Sequence, residues 1–175
     1  MAVNTIPERL QAFRVYNDGT NDLKGVADLQ LPSFEPMKDT VKGAGIAGEY
    51  ESPTLGHTQS MKLTLNWKTV SKDILQFIQQ KSHRLDCRGA FQDYEAARGQ
   101  HVVRSVRVVI QGPTMKVDPG KWETGATTGG STEFEALYLK IDIDDVTYVE
   151  IDKLNYIFKV DGVDYLAATR AALGI

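Results

Sequence analysis

The sequence predicts a mainly β protein: an antiparallel β-sandwich or barrel with one α-helix on its flank and a short C-terminal helix. Three observations carry that expectation. Apolar and polar residues alternate over Ser60–Trp67 and Glu133–Ile143, the period of half-buried strands. Asn17-Asp18-Gly19, Asp144-Asp145 and Asp161-Gly162 punctuate the chain with residues that accept the backbone angles of tight turns, which join antiparallel neighbours. Mid-chain helical spacing is confined to one stretch after Ser71, where Ile74, Leu75, Phe77 and Ile78 form an apolar stripe.

Taken in order, Ala12–Tyr16 alternates weakly and reads as a first strand, ended at Asn17-Asp18-Gly19. Val26–Leu31 reads as its partner, stopped by Pro32. Residues from Ser33 to Thr58 show little periodicity and include Pro36, Pro53 and four glycines. They predict a long loop over about 33–59, of a kind that is usually functional or disordered. Ser60–Trp67 is the clearest strand, with Met61, Leu63, Leu65 and Trp67 on one face and Ser60, Lys62, Thr64 and Asn66 on the other. Ser71 is placed to cap the helix, with Asp73 in its first turn and Lys81 in its last. Leu85–Phe91 follows as a strand, Asp93–Gln100 as a polar turn, and His101–Gln111 as a valine-rich strand ended by Gly112-Pro113.

A second open loop, rich in Gly, Thr and Ser, covers about 119–132. Glu133–Ile143 then reads as one long strand with Leu137, Leu139, Ile141 and Ile143 pointing one way, and Asp144-Asp145 turns it into Val146–Asp152. Leu154–Val160 alternates as a further strand. Asp161-Gly162 turns it, Asp164 is placed to cap the terminal helix, and Gly174 ends that helix. The expectation is a single domain over residues 1–175.

Composition narrows the function classes. A chain of 175 residues, 42% apolar, buries a core without disulfide staples. Its net charge of −3 and pI near 5.6 argue against a surface built to grip nucleic acid. A lone Cys87 rules out an internal disulfide and fits a reducing compartment. The opening stretch, MAVNTIPERLQAF, carries Pro7 and Glu8 and does not read as a signal peptide. No apolar run approaches a membrane span, so synthesis and assembly in a cytoplasm are expected.

The reactive groups do not assemble into a recognisable site. Gly43-Ala44-Gly45-Ile46-Ala47-Gly48 matches G-x-G-x-x-G, but that fingerprint binds phosphate only between a strand and a helix, and neither flank reads that way. Asp142, Asp144 and Asp145 lack calcium-loop spacing and read as a solvated turn. His57, His83 and His101 are not at zinc-ligand spacing. Cys87 and His83, four apart on one strand, stand about 13 Å from each other by the strand rise, so a buried structural cysteine is the expectation. Arg104, Arg107, Lys62 and Lys68 make at most a weak basic patch. No catalytic residue, metal or cofactor is expected.

The C-terminal run Val149-Glu150-Ile151-Asp152, Asn155-Tyr156-Ile157, Lys159–Leu166 and Arg170 resembles the end of the major tail tube proteins of contractile-tailed bacteriophages and phage-tail-like bacteriocins. Val26–Pro32, the Lys42–Gly48 loop and the Ser60–Trp67 strand extend the resemblance over most of the chain. It implies a structural subunit of a virion or bacteriocin tail, six to a ring, with rings stacked as a tube inside a sheath. The implied partners are further copies of itself, the sheath protein, baseplate and terminator proteins, and DNA in transit. Under that resemblance Lys42, Gly43, Gly45 and Gly48 are candidates for contact between rings. Lys62, Thr64, Asn66, Lys140 and Asp142 are candidates for the face lining the bore. Other readings are a ring protein of a type VI secretion system, a ligand-binding β-sandwich with its pocket at the Gly-rich loops and Trp122, and, remotely, an enzyme using Cys87 and His83.

Overall fold

Two layers of strand share one long strand. The computed structural model describes residues 4–19 and 21–175; the first residues of the opening stretch, Met1–Val3, lie outside the described residues. The elements are β1 Thr5–Asn17, β2 Asn21–Asp22, β3 Val26–Gln30, β4 Pro36–Lys42, β5 Glu49–Thr58, β6 Lys62–Trp67, α1 Lys72–Gln76, β7 Ser82–Glu95, β8 Gln100–Asp118, β9 Ser131–Glu135, β10 Tyr138–Ile143, β11 Val146–Asp152, β12 Ile157–Val160, β13 Val163–Asp164 and α2 Ala167–Leu173. The first layer runs β13-β12-β11-β10-β8-β7-β1-β2. The second runs β3-β6-β9 and ends on Thr114–Asp118 of β8. β4 and β5 form a separate two-stranded ribbon. Every pairing is antiparallel, and the mainly β, antiparallel expectation holds.

The shared strand explains the layering. β8 pairs with β10 as far as Gln111 and with β7 as far as Pro113, then with β9 from Thr114 onward. At the change of layer a Cβ on Gly112 would lie 1.8 Å from the carbonyl oxygen of Glu135, so only glycine lets the two strands pass. Leu63, Leu65, Trp67 and Phe134 of the second layer meet Val15, Leu85, Cys87, Val108, Ile110, Leu139 and Ile151 of the first in one core. Each large side chain fully buried there contributes roughly 1.5–3 kcal/mol. The Trp67 indole N–H donates to Thr132 Oγ1 at 3.0 Å, which satisfies the one polar atom it carries inward. α1 closes one open side. Its Ile74 is buried, and Phe77 packs edge-on against both Phe134 and His83 at 5.0 Å. Burial pushes the His83 imidazole below its usual range.

Several sequence expectations need correcting, each for a physical reason. The loop expected over 33–59 is largely the β4-β5 ribbon, with an irregular tip only at 43–48. Its strands are exposed on nearly all positions, so no alternation of polarity marks them. Gly112-Pro113 does not end the valine-rich strand, because β8 changes layer there instead of stopping. The Asp93–Gln100 turn shrinks to 96–99, and the open loop at 119–132 yields Ser131 and Thr132 to β9.

Glu133–Ile143 is two strands, broken at Ala136-Leu137 where the chain passes from the second layer to the first. Leu154–Tyr156 is a turn, with Tyr156 at φ 52° and Asp152 accepting from the Leu154 and Asn155 N–H groups. β3 pairs with β6, not β1. α1 stops at Gln76, and Ser71 makes no capping bond. Asp164 accepts from the Leu166 N–H ahead of α2 rather than capping its first turn, while Gly174 ends α2 at φ 75°.

Candidate functional site

The second layer has two open borders. Among the described residues β3 is bonded only to β6, and the Thr114–Asp118 half of β8 only to β9. Each border is five residues long and the two strands run antiparallel, because three antiparallel steps separate them. Unpaired backbone of this kind is a template for another chain. β1 also has a long open side, since β2 covers only Tyr16 and Asn17. That side is blunted by two register breaks and by Pro7, Glu8 and Arg9, which are devices that discourage strand addition. β6, the clearest strand in the sequence, is central and paired on both sides.

The two sets of proposed bore residues lie on different layers. Lys62, Thr64 and Asn66 are on the outward face of β6, where Lys62 approaches Glu133 at 3.8 Å and the Asn66 amide donates to Asp28 at 2.6 Å. Lys140 and Asp142 are on the outward face of β10, paired with each other at 3.1 Å. A core separates the two faces, so both cannot line one bore.

Their electrostatics differ. The face of the second layer carries Asp28, Asp118, Glu133 and Glu135 against Lys62 and Lys116. The face of the first layer carries Arg14, Arg84, Arg88, Arg107, Lys140 and Lys159 against Asp22, Asp86, Asp142, Glu150, Asp152 and Asp164, an even balance. Across that face Arg14, Arg88 and Arg107 stand directly opposite one another on β1, β7 and β8.

Asp86 holds the arginine row together. It is buried and accepts from Arg107 at 2.7 and 2.9 Å and from Arg88 at 2.9 Å. Burial raises its pKa, but the hydrogen bonds from Arg107 and Arg88 together outweigh burial and bring it down to about 2. Arg104 pairs in the same manner with buried Asp93 at 2.7 Å. The arginines of the weak basic patch foreseen from sequence are thus bound to acids.

The ribbon carries the other candidate residues. Lys42 ends β4 opposite Glu49, and Gly43, Gly45 and Gly48 form the tip. No helix follows the tip, so the phosphate-binding geometry is not built. Met37, Tyr50 and Leu55 are exposed on the ribbon, and a lone two-stranded ribbon is marginal in water. Its foot is fixed by Gly56, which sits at φ 69° so close to Leu166 that a Cβ would lie 2.5 Å from that side chain. Leu166 is held in turn by the C-terminal clamp. Arg170 donates to Asp164 at 2.6 Å and to the Tyr156 carbonyl at 2.6 Å. The Lys159–Leu166 turn and Arg170 therefore serve one purpose, seating the ribbon.

The remaining reactive candidates are placed as structure. Cys87 is buried, and burial pushes its thiol up to about 12. Asp144 accepts from the Ser105 N–H at 2.8 Å in the β10-β11 turn. Trp122 is 82% exposed on the loop after β8. No described helix is long and apolar enough to cross a membrane.

The family description phage tail tube protein FII matches residues 7–174. The chain belongs to this phage tail tube family. It is 24% identical to the major tail tube protein of Serratia phage KSP20, over 97% of this chain and 98% of that one. It is 25% identical to the tail tube protein of Escherichia phage P2, over 97% and 99%. Among solved structures it resembles, in fold, the sheath/tube terminator of the PVC extracellular contractile injection system in its extended state. That likeness has a TM-score of 0.52 at 11% identity and covers 78% of this chain and 96% of the other. Membership makes the protein a structural component of a phage tail tube, which is part of the virion. Periodicity could not show the open borders, because strand pairing is not written in the alternation of a single strand.

Proposed function

We propose that this subunit closes into a ring by strand addition, β3 of one copy against Thr114–Asp118 of the next, with the second layer facing a hollow axis. The observation that carries this reading is the pair of open borders, equal in length and antiparallel, at the two ends of one four-stranded layer. A head-to-tail contact between unlike surfaces closes when its rotation divides the circle. Six copies, the number the family resemblance implies, bring about 24 strands; at ~4.8 Å spacing the backbone ring is roughly 37 Å across. That leaves room for a side-chain lining and a duplex.

The acidic balance of the second layer supports its inward placement, because a basic wall binds phosphates and slows passage. Of the two candidate sets, Lys62, Thr64 and Asn66 then face the bore, while Lys140 and Asp142 face outward. The outer face, with its row of acid-paired arginines, is offered to the enclosing sheath of a contractile tail. The exposed ribbon, with Lys42, Gly43, Gly45 and Gly48 at its tip, reaches the adjoining ring and is ordered by it. The role is structural and non-catalytic. Particles are assembled in the host cytoplasm, with terminator and baseplate proteins bounding the stack.

Negative-stain microscopy of the purified protein tests this, with rings or tubes expected. Excision of Asp39–Ser52, closed by a short turn, keeps the foot of the ribbon and is expected to leave rings that do not stack. A protein that stays monomeric at high concentration would overturn the ring, and full tubes from the excised variant would overturn the role of the ribbon.

A further inference from the structure

Each open border of the second layer is flanked by an apolar patch, and the two patches differ in shape. Beside β3 lies a groove of about 210 Å³, lined by Leu10, Phe13, Leu29, Leu31, Phe91 and Val106. Leu10 is 45% and Leu31 44% exposed at its mouth. Beside the other border Met115 and Ile78 project together, each 59% exposed, around one shallow depression, with Leu75 44% exposed on α1. Met115 is the extra residue of a bulge between Thr114 and Lys116, which swings a side chain out of the ladder. Exposed apolar side chains gathered beside an unpaired strand border point to a contact there.

Register joins the two patches. If β3 and Thr114–Asp118 pair antiparallel over their five residues, the Thr114 end of one copy falls at the Gln30 end of the next. Met115 then stands beside Leu29 and Leu31. An unbranched thioether is suited to filling an irregular groove. Resting on the ring reading above, we propose that Met115, backed by Ile78, is the apolar anchor of the contact within the ring and that its socket is the Leu10–Leu31 groove of the neighbouring copy. The backbone border supplies the general direction of pairing. Met115 sets its register, because a slip of one residue along β3 turns the strand over and leaves the side chain in water.

Disulfide trapping tests the pairing. The native Cys87 is buried and its thiol pushed up to about 12, so introduced cysteines are the reactive ones. Leu29→Cys and Met115→Cys proteins, whose positions that register sets directly opposite, are expected to form no disulfide alone, only dimers when mixed, and in the double variant a covalent ladder that stops at the ring number. Met115→Asp is expected to stay folded and to raise the concentration needed for assembly by about thirtyfold or more, the usual effect of losing a buried anchor. Tubes seen by microscopy with no trapped species would overturn this socket and leave the ring reading standing. Disulfide dimers of either single variant would show a two-fold contact and overturn the head-to-tail pairing. Absence of both tubes and ladder would overturn the ring reading and this inference with it.

Discussion

Replacing Asp86 by Asn removes a charge and keeps the shape, so its cost measures what the carboxylate does for the fold. The side chain is 5% exposed, and two guanidinium groups bond to it. Its carboxyl titrates at about 2 in the fold against an ordinary 3.8, and at about 1.36 kcal/mol per decade that gap is worth about 2 kcal/mol. Arg88 and Arg107 are 55% and 42% exposed, so water screens the pair and the figure is an upper bound.

The folded value is the lower one, so the stabilisation is complete above pH 3.8 and is lost as the pH falls through about 2. Urea unfolding of dilute, unassembled subunit, followed by circular dichroism at pH 7 and pH 2, should show Asp86→Asn weaker by about 2 kcal/mol at pH 7 and by less than about 0.5 kcal/mol at pH 2. In a thermal scan at pH 7 the loss corresponds to a fall of about 4–8 °C for a chain of this length. A difference that stays the same at both pH values would refute the reasoning, since it would assign the cost to packing and not to the charge.

Two further outcomes follow from the geometry. Gly112→Ala forces β8 and β9 apart by more than an ångström where a Cβ would meet the Glu135 carbonyl oxygen at 1.8 Å. A loss above the roughly 1–3 kcal/mol of ordinary overpacking is expected in denaturant titration, and a variant of unchanged midpoint would contradict the layer crossing. Cys87 should resist a thiol reagent in the native subunit at pH 8 and react fully once unfolded in urea, because burial holds its thiol at about 12; rapid labelling of native protein would reopen a nucleophilic role.

What could be read before the structure was whatever the subunit buries within itself. Met61, Leu63, Leu65 and Trp67 alternate because one side of β6 meets the core and the other does not. Asp144-Asp145 and Asp161-Gly162 declare turns because their backbones take positive φ. The failures share a cause. β8 was cut at Gly112-Pro113 and Glu133–Ile143 was fused, since a strand that changes layer breaks the local rules for ending or continuing. β4 and β5 went unseen because neither side of the ribbon is buried within the subunit, so selection for alternation had nothing to act on there. Alternation separates Lys62, Thr64 and Asn66 from the core face of β6, but which layer a face belongs to depends on the pairing of strands far apart in sequence.

The same reasoning explains why an apolar side chain can be a better guide to assembly than a charged one in this protein. The arginines and lysines that stand out in the sequence are mostly spent inside the subunit: Arg88 and Arg107 on Asp86, Arg104 on Asp93, Arg170 on Asp164, Lys153 on Glu135. Met115, Ile78, Leu31 and Leu10 have no such use within one copy and remain in water. They sit beside the two borders where backbone pairing stops. Leaving both unpaired backbone and apolar surface at those two places is costly for a solitary subunit. In the proposed ring one contact, repeated around an axis, would remove both costs at once, and its strength would rest on burial that salt screens little, not on the ion pairs of the outer face.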